Sequence, residues 1–170
     1  MPRRPSHNFR PGGGFGFDRG TYGDGVTVLR LTIDAKGNIV SLASVPIEFP
    51  GDFTVAASDE STALTAGTGK LTFRANHAMT LTEVRASLTT AQATNGGGGI
   101  FTVDINVNGS SILSTKLTID NTEKTSVTAA TPAVISSASI ADDDEITIDI
   151  DQIGDGTAKG LKISFIGTRQ

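Results

Sequence analysis

The sequence predicts an all-β fold: an antiparallel β-sandwich, with a jelly roll as first choice and an immunoglobulin-like sandwich as second. An extended N-terminal arm and a short β neck are expected to precede it. Roughly eight short segments alternate apolar and polar residues, and no stretch has the 3.6-residue period of a helix. Aromatic residues make up only 5% of the chain and Trp is absent. We therefore expect a thin, aliphatic core between two sheets.

Residues 1–20 are expected to form an extended anchoring arm. They contain three prolines, a run of three glycines and four arginines against one aspartate. Such a segment cannot bury enough surface to fold alone, so it is either a disordered tail or an arm that docks on a partner. We favour docking on an acidic, partly apolar partner. The expected contact residues are Arg3, Arg4, Phe9, Arg10, Phe15, Phe17 and Arg19.

Residues 21–50 are predicted to form a β-hairpin neck, because two apolar stretches flank the turn sequence Asp34-Ala35-Lys36-Gly37-Asn38. The stretch from Thr21-Tyr22-Gly23 through that turn to Ser44-Val45-Pro46-Ile47 resembles a module of bacteriophage tail-fibre proteins. That module runs Thr-Tyr-Gly, a variable stretch, then Val-Asp-Ala-Lys-Gly-Arg-Ile, so Asn38 replaces its usual Arg. The resemblance implies a trimeric neck. Its expected contact residues are Tyr22, Val28, Leu31, Ile33 and Ile39.

Residues 51–61 are predicted to be a linker, and residues 62–170 a jelly-roll head. Within the head, Ile100 to Val107 alternates strictly and is followed by Asn108-Gly109, the dipeptide most typical of a two-residue hairpin turn. This alternation predicts that Asp104 lies on the wet face of its strand. Further strands are expected at 71–73, 79–88, 123–128, 134–135, 145–153 and 160–167.

The head carries a second resemblance. Thr65–Ala75, Met79–Leu88 and Asp149–Lys162 look like parts of a β-rich domain found in structural proteins of phages that infect marine and freshwater bacteria. This resemblance implies a virion component without a defined active site.

No set of residues predicts catalysis. His77 is the only histidine outside the arm, and Glu83 with Asp104 could form a carboxylate pair for glycoside hydrolysis only if the fold brought them together. The Gly67–Thr72 segment lacks two defining residues of a phosphate-binding loop and precedes a strand. We therefore expect no enzyme and no cofactor.

Two further segments are candidate binding sites. The glycine-rich loop with Asn95, Gly96 and Gly99 could face a ligand. The acidic run with Asp142, Asp144 and Glu145 offers the oxygen ligands that calcium prefers, yet it fits an ordinary solvated turn better and we expect no metal.

The expected function is that of a homotrimeric phage virion protein: a capsid decoration (cement) protein or head fibre whose arm binds the major capsid protein or another virion protein. The alternative is a tail-fibre or receptor-binding tip that attaches to a host surface glycan or protein. A carbohydrate-binding module is disfavoured because the head lacks Trp. The net charge of −4 argues against nucleic-acid binding, and no apolar run is long enough to span a membrane. The expected location is the virion, after assembly in the host cytoplasm.

Overall fold

The computed structural model describes residues 24–170, and these form two compact units. The first comprises residues 24–48 and is called the hairpin unit. The second, Phe49–Gln170, is called the head. Of the described residues, 56% lie in strands and 2% in helix, and the sheets are antiparallel. The expectation of an all-β fold is confirmed.

The hairpin unit consists of strands β1 (Thr27–Ile33) and β2 (Ile39–Pro46), which pair antiparallel. The pairs run from Thr27 opposite Pro46 to Ile33 opposite Ile39. A bulge lies between Thr32 and Ile33 in this register, and Val40 is the extra residue.

The head contains twelve strands and one 3₁₀ turn at Ser126–Thr128. The strands are β3 (Phe49–Pro50), β4 (Phe53–Ala56), β5 (Gly67–Arg74), β6 (Met79–Ser87), β7 (Gly98–Val107), β8 (Ser110–Ser111), β9 (Leu113–Thr115), β10 (Leu117–Ile119), β11 (Val134–Ile135), β12 (Ser139–Ile140), β13 (Glu145–Gly154) and β14 (Lys162–Arg169).

Two main sheets build the head. The first has the order β10-β7-β13-β5, with β8 also paired to β7. The second has the order β12-β6-β14, with β3 and β4 paired along the far side of β14. Strands β9 and β11 form a separate small pair. Along the chain, β4, β5, β6 and β7 alternate between the two main sheets, and so do β12, β13 and β14.

The core lies between the two main sheets, and apolar residues that alternate along the strands fill it. Phe101, Val103 and Ile105 of β7 point inward from the first sheet, and Ile163 and Phe165 of β14 point inward from the second. All five are fully buried. This burial is the main source of the head's stability, since fully burying one such side chain contributes about 1.5–3 kcal/mol.

Three phenylalanines join the two sheets at one end of the core. Phe53 stacks on Phe165 with ring centroids 4.7 Å apart. Phe73, from the other sheet, meets the Phe165 ring edge-on at 5.9 Å. Each such pair adds about 0.5–1.5 kcal/mol beyond the buried area. Three of the few aromatic residues of the chain are therefore packed together in a single contact between the two sheets.

A bulge in β6 explains why both Leu81 and Val84 are buried although strict alternation would place them on opposite faces. Glu83 lies opposite Ile166 and Leu81 lies opposite Gly167, which leaves Thr82 as the extra residue. Gly167 is required at this point, because a Cβ there would lie 2.1 Å from the carbonyl oxygen of Thr80.

Two expected elements differ from the structure. The segment 51–61 is not a linker: β4 pairs along β14, so the head begins at Phe49 instead of residue 62 and the neck ends at residue 48. The sequence did not predict this short strand because residues typical of turns and loops lie on both sides of it, Pro50-Gly51 before it and residues 58–68 after it. The polar segment 123–128 is not a strand but ends in the 3₁₀ turn. The Thr125 hydroxyl caps this turn by accepting a hydrogen bond from the N–H of Val127.

Candidate functional site

The turn of the hairpin unit is organised by one carboxylate. Oδ1 of Asp34 accepts hydrogen bonds from the N–H groups of Lys36 and Asn38 at 2.8 and 2.9 Å. The Asn38 side-chain amide donates to Oδ2 at 3.0 Å, and these bonds with Asn38 lower the pKa of Asp34. Asn38, the departure from the tail-fibre pattern, therefore closes the turn. Gly37 has φ of 84°, a conformation that favours glycine.

One face of the hairpin is aliphatic. Residues directly opposite in an antiparallel pair share a face. Leu31 lies opposite Leu42, and Ile33 lies opposite Ile39. Leu29, two residues before Leu31, shares their face. We call this surface the aliphatic face; it consists of Leu29, Leu31, Ile33, Ile39 and Leu42.

The opposite face of the hairpin is mixed. Val28 pairs with Val45 at its base, and Thr32 pairs with Ser41 near the turn. The only charged side chain in either strand is that of Arg30, and it belongs to this face.

The predicted neck residues are thus divided between the two faces. Leu31, Ile33 and Ile39 lie together on the aliphatic face, whereas Val28 lies on the other. The sequence interpretation missed Leu29 and Leu42. Strict alternation from Leu31 would have found Leu29, and the strand register was needed to find Leu42.

The remaining neck residue, Tyr22, and the predicted arm residues lie outside the described residues. These arm residues are Arg3, Arg4, Phe9, Arg10, Phe15, Phe17 and Arg19.

The hairpin unit is unusually exposed for its composition. Seven of the ten exposed large apolar side chains of the described chain lie between Val26 and Val40. On the aliphatic face, Leu31 is 47% exposed and Ile33 is 58% exposed. A two-stranded sheet without cover is marginally stable in water at best. The hairpin unit is therefore the strongest candidate for a contact surface.

The predicted ligand-facing loop is held by the head itself. Asn95 and Gly96 are exposed. The N–H groups of Ala93 and Thr94 donate to Oδ2 of Asp155 at 2.8 and 2.9 Å. A Cβ on Gly96 would lie 2.7 Å from the Cα of Asp155, so the loop sits directly on the turn between β13 and β14.

Gly99 and Gly154 make further close contacts near this loop. A Cβ on Gly99 would lie 2.7 Å from Oε1 of Gln152. Gln92 is fully buried, and its amide donates to Oδ1 of Asn121 at 2.7 Å. Its Oε1 has no hydrogen-bond partner among the described residues and lies against Gly154, where a Cβ would come within 1.6 Å. The glycines of this region thus allow close packing of the loop against the end of β13 and the segment that follows it.

The acidic run is a turn bound to protein groups. Asp144 accepts hydrogen bonds from the Asn108 side chain and from the N–H of Ala141, both at 2.7 Å, and these two bonds lower its pKa. Glu145 lies 3.4 Å from the guanidinium of Arg74, while Asp142 is exposed. Within residues 24–170, no three His, Cys, Asp or Glu side chains could hold a metal ion. The structure therefore does not bring Asp142, Asp144 and Glu145 together as a cation site.

A buried carboxylate lies instead on the outer side of the first sheet. Asp104 is 5% exposed and lies opposite Asp149 in the pairing of β7 with β13. Its Oδ1 accepts from the N–H of Ile105 and from the hydroxyl of Ser111 at 2.8 and 2.7 Å. The prediction that Asp104 lies on a wet face was wrong, because the segment after β7 folds back over it.

Lys116 neutralises this carboxylate. Its Nζ lies 2.5 Å from Oδ2 of Asp151 and 2.9 Å from Oδ2 of Asp104. The hydrogen bonds to Asp151 and then Asp104 raise the pKa of Lys116, so it remains charged at neutral pH. Because Lys116 already binds the carboxylates of both Asp104 and Asp151, we assign this cluster a structural role.

The candidate catalytic residues are separated. Glu83 belongs to β6 in the second sheet and binds Arg85 in the same strand at 2.7 Å, which lowers the pKa of Glu83. Asp104 belongs to the first sheet. His77 has a buried Nε2 without a hydrogen-bond partner in the described part of the chain, packed near Gly51. No carboxylate pair for glycoside hydrolysis is formed by Glu83 and Asp104.

The head also has an open groove of about 370 Å³ beside β6. Apolar side chains of Val84, Leu117, Val127 and Val134 line it, and the charged residue among its lining is Glu83, which Arg85 already binds. The hydroxyl groups of Thr82 and Ser126 also line the groove, and both are already bound to main-chain groups, of Ile166 and Ala86 respectively.

Comparisons with protein-family models, with curated proteins and with solved structures find no match. A search of residues 24–170 for a helix with the length and hydropathy needed to cross a bilayer also finds none.

Proposed function

We propose that this chain is a structural protein of a bacteriophage virion: a trimeric capsid decoration or head-fibre protein that its N-terminal arm anchors to the particle. The observation that carries the proposal is the exposed aliphatic surface of the hairpin unit. This unit also has the sequence pattern that resembles a tail-fibre module. A hairpin of this kind needs cover from further protein surface.

The strand order of the head supports a jelly roll. The eight strands β4, β5, β6, β7, β10, β12, β13 and β14 take the orders 1-8-3-6 and 2-7-4-5 when they are numbered along the chain. Two nested Greek keys produce this arrangement, and jelly rolls are used in viral capsid proteins among others. Because a fold does not define a function, the strand order supports the proposal only together with the hairpin unit.

The charge distribution supports an arm that binds a partner. Four arginines and one aspartate give residues 1–23 a net charge of +3, so the chain's total of −4 leaves −7 for residues 24–170. An acidic patch on a capsid protein would attract the arm and repel the head. The mechanism follows from avidity: three arms on one trimer bind with a high effective concentration, so that three weak contacts make a stable attachment.

The test is a particle-binding assay with phage particles that lack the protein. We expect the full chain to sediment with the particles. A chain without residues 1–20 should stay in solution with its head folded, as circular dichroism would show. A second variant, in which Phe9, Phe15 and Phe17 are changed to Ala and all arginines are kept, separates apolar contact from charge and should also bind more weakly.

Equal particle occupancy of the full chain and the shortened chain would contradict the anchoring role of the arm. Binding of the full chain to host cells, in competition with phage adsorption, would instead support the receptor-binding tip. In that case we expect substitutions at Asn95 to weaken adhesion, because Asn95 is exposed on the loop bound to Asp155.

A further inference from the structure

The hairpin unit presents a large apolar surface that the described residues of this unit leave open to solvent. Leu29, Leu31, Ile33 and Ile39 are 40%, 47%, 58% and 44% exposed, and all four belong to the aliphatic face. The hairpin is a two-stranded sheet by itself, with no third strand paired at either edge among residues 24–170. Folded monomers rarely leave a contiguous apolar patch of this kind uncovered.

We propose that the aliphatic face is an interface between copies of this chain, in which three hairpins pack these faces against one another around a common axis. The inference rests on the proposed trimeric state. It adds to that state the face of the hairpin that packs inward and the contact residues Leu29 and Leu42, and it excludes Val28 from the interface. Leu31 and Leu42, which lie opposite one another near the middle of the hairpin, form the centre of the interface.

The charge pattern of the hairpin fits an identical partner. On the side of the hairpin that carries the aliphatic face, neither strand has a charged side chain, and the polar residues Thr27 and Ser44 on that side are neutral. Identical copies can therefore bring these faces together without opposing like charges. The one charged residue of the strands, Arg30, lies on the opposite face and stays in solvent in this arrangement.

The rest of the described chain offers no comparable apolar surface. The exposed large apolar side chains of the head are Phe49, Val127 and Val134, and they do not form a sheet face. Another hairpin is therefore the surface in residues 24–170 that best matches the aliphatic face in its exposed apolar side chains and its lack of charge. Three faces packed around one axis would withdraw all five aliphatic residues of each copy from water, the main source of association free energy.

The first measurement is the native mass of the full chain by light scattering, without any phage particle present. We expect about three times the 17.5 kDa chain mass for the wild-type protein. Leu31→Asp places a carboxylate at the centre of the interface and should reduce the mass to that of one copy. Thr32→Asp is the matched control, because Thr32 is the exposed neighbour on the opposite face, and it should keep the wild-type mass.

A cross-linking experiment keeps the inference testable if Leu31→Asp fails to fold. The chain contains no cysteine, so one introduced cysteine can pair only with another copy. Leu31→Cys should give a covalent dimer on oxidation, because residues close to the common axis bring their Cα atoms within disulfide range. Thr32→Cys should remain monomeric on a non-reducing gel.

A wild-type protein with the mass of one copy would overturn the inference. The same mass is expected if the arm of the same chain covers the aliphatic face, so that arrangement would overturn it too. An unchanged mass in Leu31→Asp, or equal cross-linking at positions 31 and 32, would place the interface elsewhere and also overturn it. A trimer that responds as expected but binds no particle would leave this inference intact and contradict the proposed function.

Discussion

The ammonium of Lys116 lies 2.9 Å from Oδ2 of Asp104, a carboxylate that is almost wholly buried on the outer side of the first sheet. Asp149 lies directly opposite Asp104, so two like charges face each other across β7 and β13. Lys116 supplies the positive charge between Asp104 and the nearby Asp151. We therefore expect the fold of this part of the head to depend on one lysine.

Replacing Lys116 by Met should destabilise the head by about 1–3 kcal/mol. Loss of one partner of a buried ion pair costs about 3–5 kcal/mol, and the half-exposed position of Lys116 reduces this value. Urea unfolding followed by circular dichroism would measure the change. The control is Lys162→Met, which removes the contact with Glu60, an exposed pair. This control should change the midpoint little, and equal losses in the two variants would contradict the role of Asp104.

Gly154→Ala should destabilise the head more than Gly156→Ala. Both glycines have positive φ, 62° and 76°, so the strain of a left-handed alanine is common to both. A Cβ at residue 154 would also lie 1.6 Å from Oε1 of the buried Gln92, whereas one at residue 156 meets its nearest atom at 3.8 Å. We expect an additional loss of about 1–3 kcal/mol for Gly154→Ala, the usual cost of overpacking. Equal thermal midpoints of the two variants would show that the Gln92 side chain can move away.

The stability of the head should fall in acid partly through Asp155. The Thr157 hydroxyl, followed by the N–H groups of Thr94, Thr157 and Ala93, lowers its pKa well below the ordinary value of 3.8. A carboxyl whose pKa is lower in the folded state stabilises the fold fully above the unfolded value. This contribution is lost as the pH falls below 3.8 toward the folded value.

The variant Asp155→Asn isolates this contribution. Oδ2 of Asp155 accepts from Ala93 and Thr94, and Oδ1 accepts from the N–H and hydroxyl of Thr157. An asparagine has one acceptor oxygen and an NH2 donor in place of the other, so it loses one of these two sets of bonds and should be less stable than the wild-type protein at pH 7. The difference between the two urea midpoints should narrow below pH 4, where the wild-type carboxyl becomes protonated. A difference that stays constant from pH 7 to pH 3 would contradict the assignment.

Gly37→Ala should loosen the hairpin unit. Gly37 has φ of 84° with open space around it, so an alanine there is disfavoured only by its backbone conformation, by about 1–2 kcal/mol. Gly25 also has open space and lacks positive φ, which makes Gly25→Ala the matched control. Hydrogen exchange of the main-chain amides of β1 and β2 should become several-fold faster in Gly37→Ala alone. Unchanged exchange would show that other copies of the chain, and not the turn, hold the hairpin together.

Local patterns predicted the parts of the fold that depend on neighbouring residues. The turn after β7 is confirmed, because Asn108 and Gly109 both have positive φ, 50° and 80°, and Val107 pairs with Ser110 across them. The bulge in β6 and the short strand β4 could not be predicted, because their partners in β14 lie far along the chain. Burial of Asp104 likewise depends on the segment that folds back over β7.

The candidate contact surface was predicted in part. The turn sequence, with its resemblance to a tail-fibre module, predicted the hairpin. The apolar residues on either side of the turn indicated that a surface of the hairpin is covered by other protein. Which residues share a face depends on the register, and the bulge at Val40 changes that register near the turn. Strict alternation from Ile39 would place Leu42 on the opposite face. The extra residue Val40 brings Ile39 and Leu42 onto the same face.

Strand β14, the last of the head, lies between β4 and β6 in the second sheet. During synthesis on the ribosome this sheet cannot close until the C-terminal residues have emerged, whereas both strands of the hairpin unit emerge before the head begins. The proposed contact between hairpins therefore involves residues that leave the ribosome before the second sheet of the head can close. A premature stop before β14 would remove the centre of a sheet instead of its edge, and the truncated product would expose two unpaired strand edges that invite aggregation.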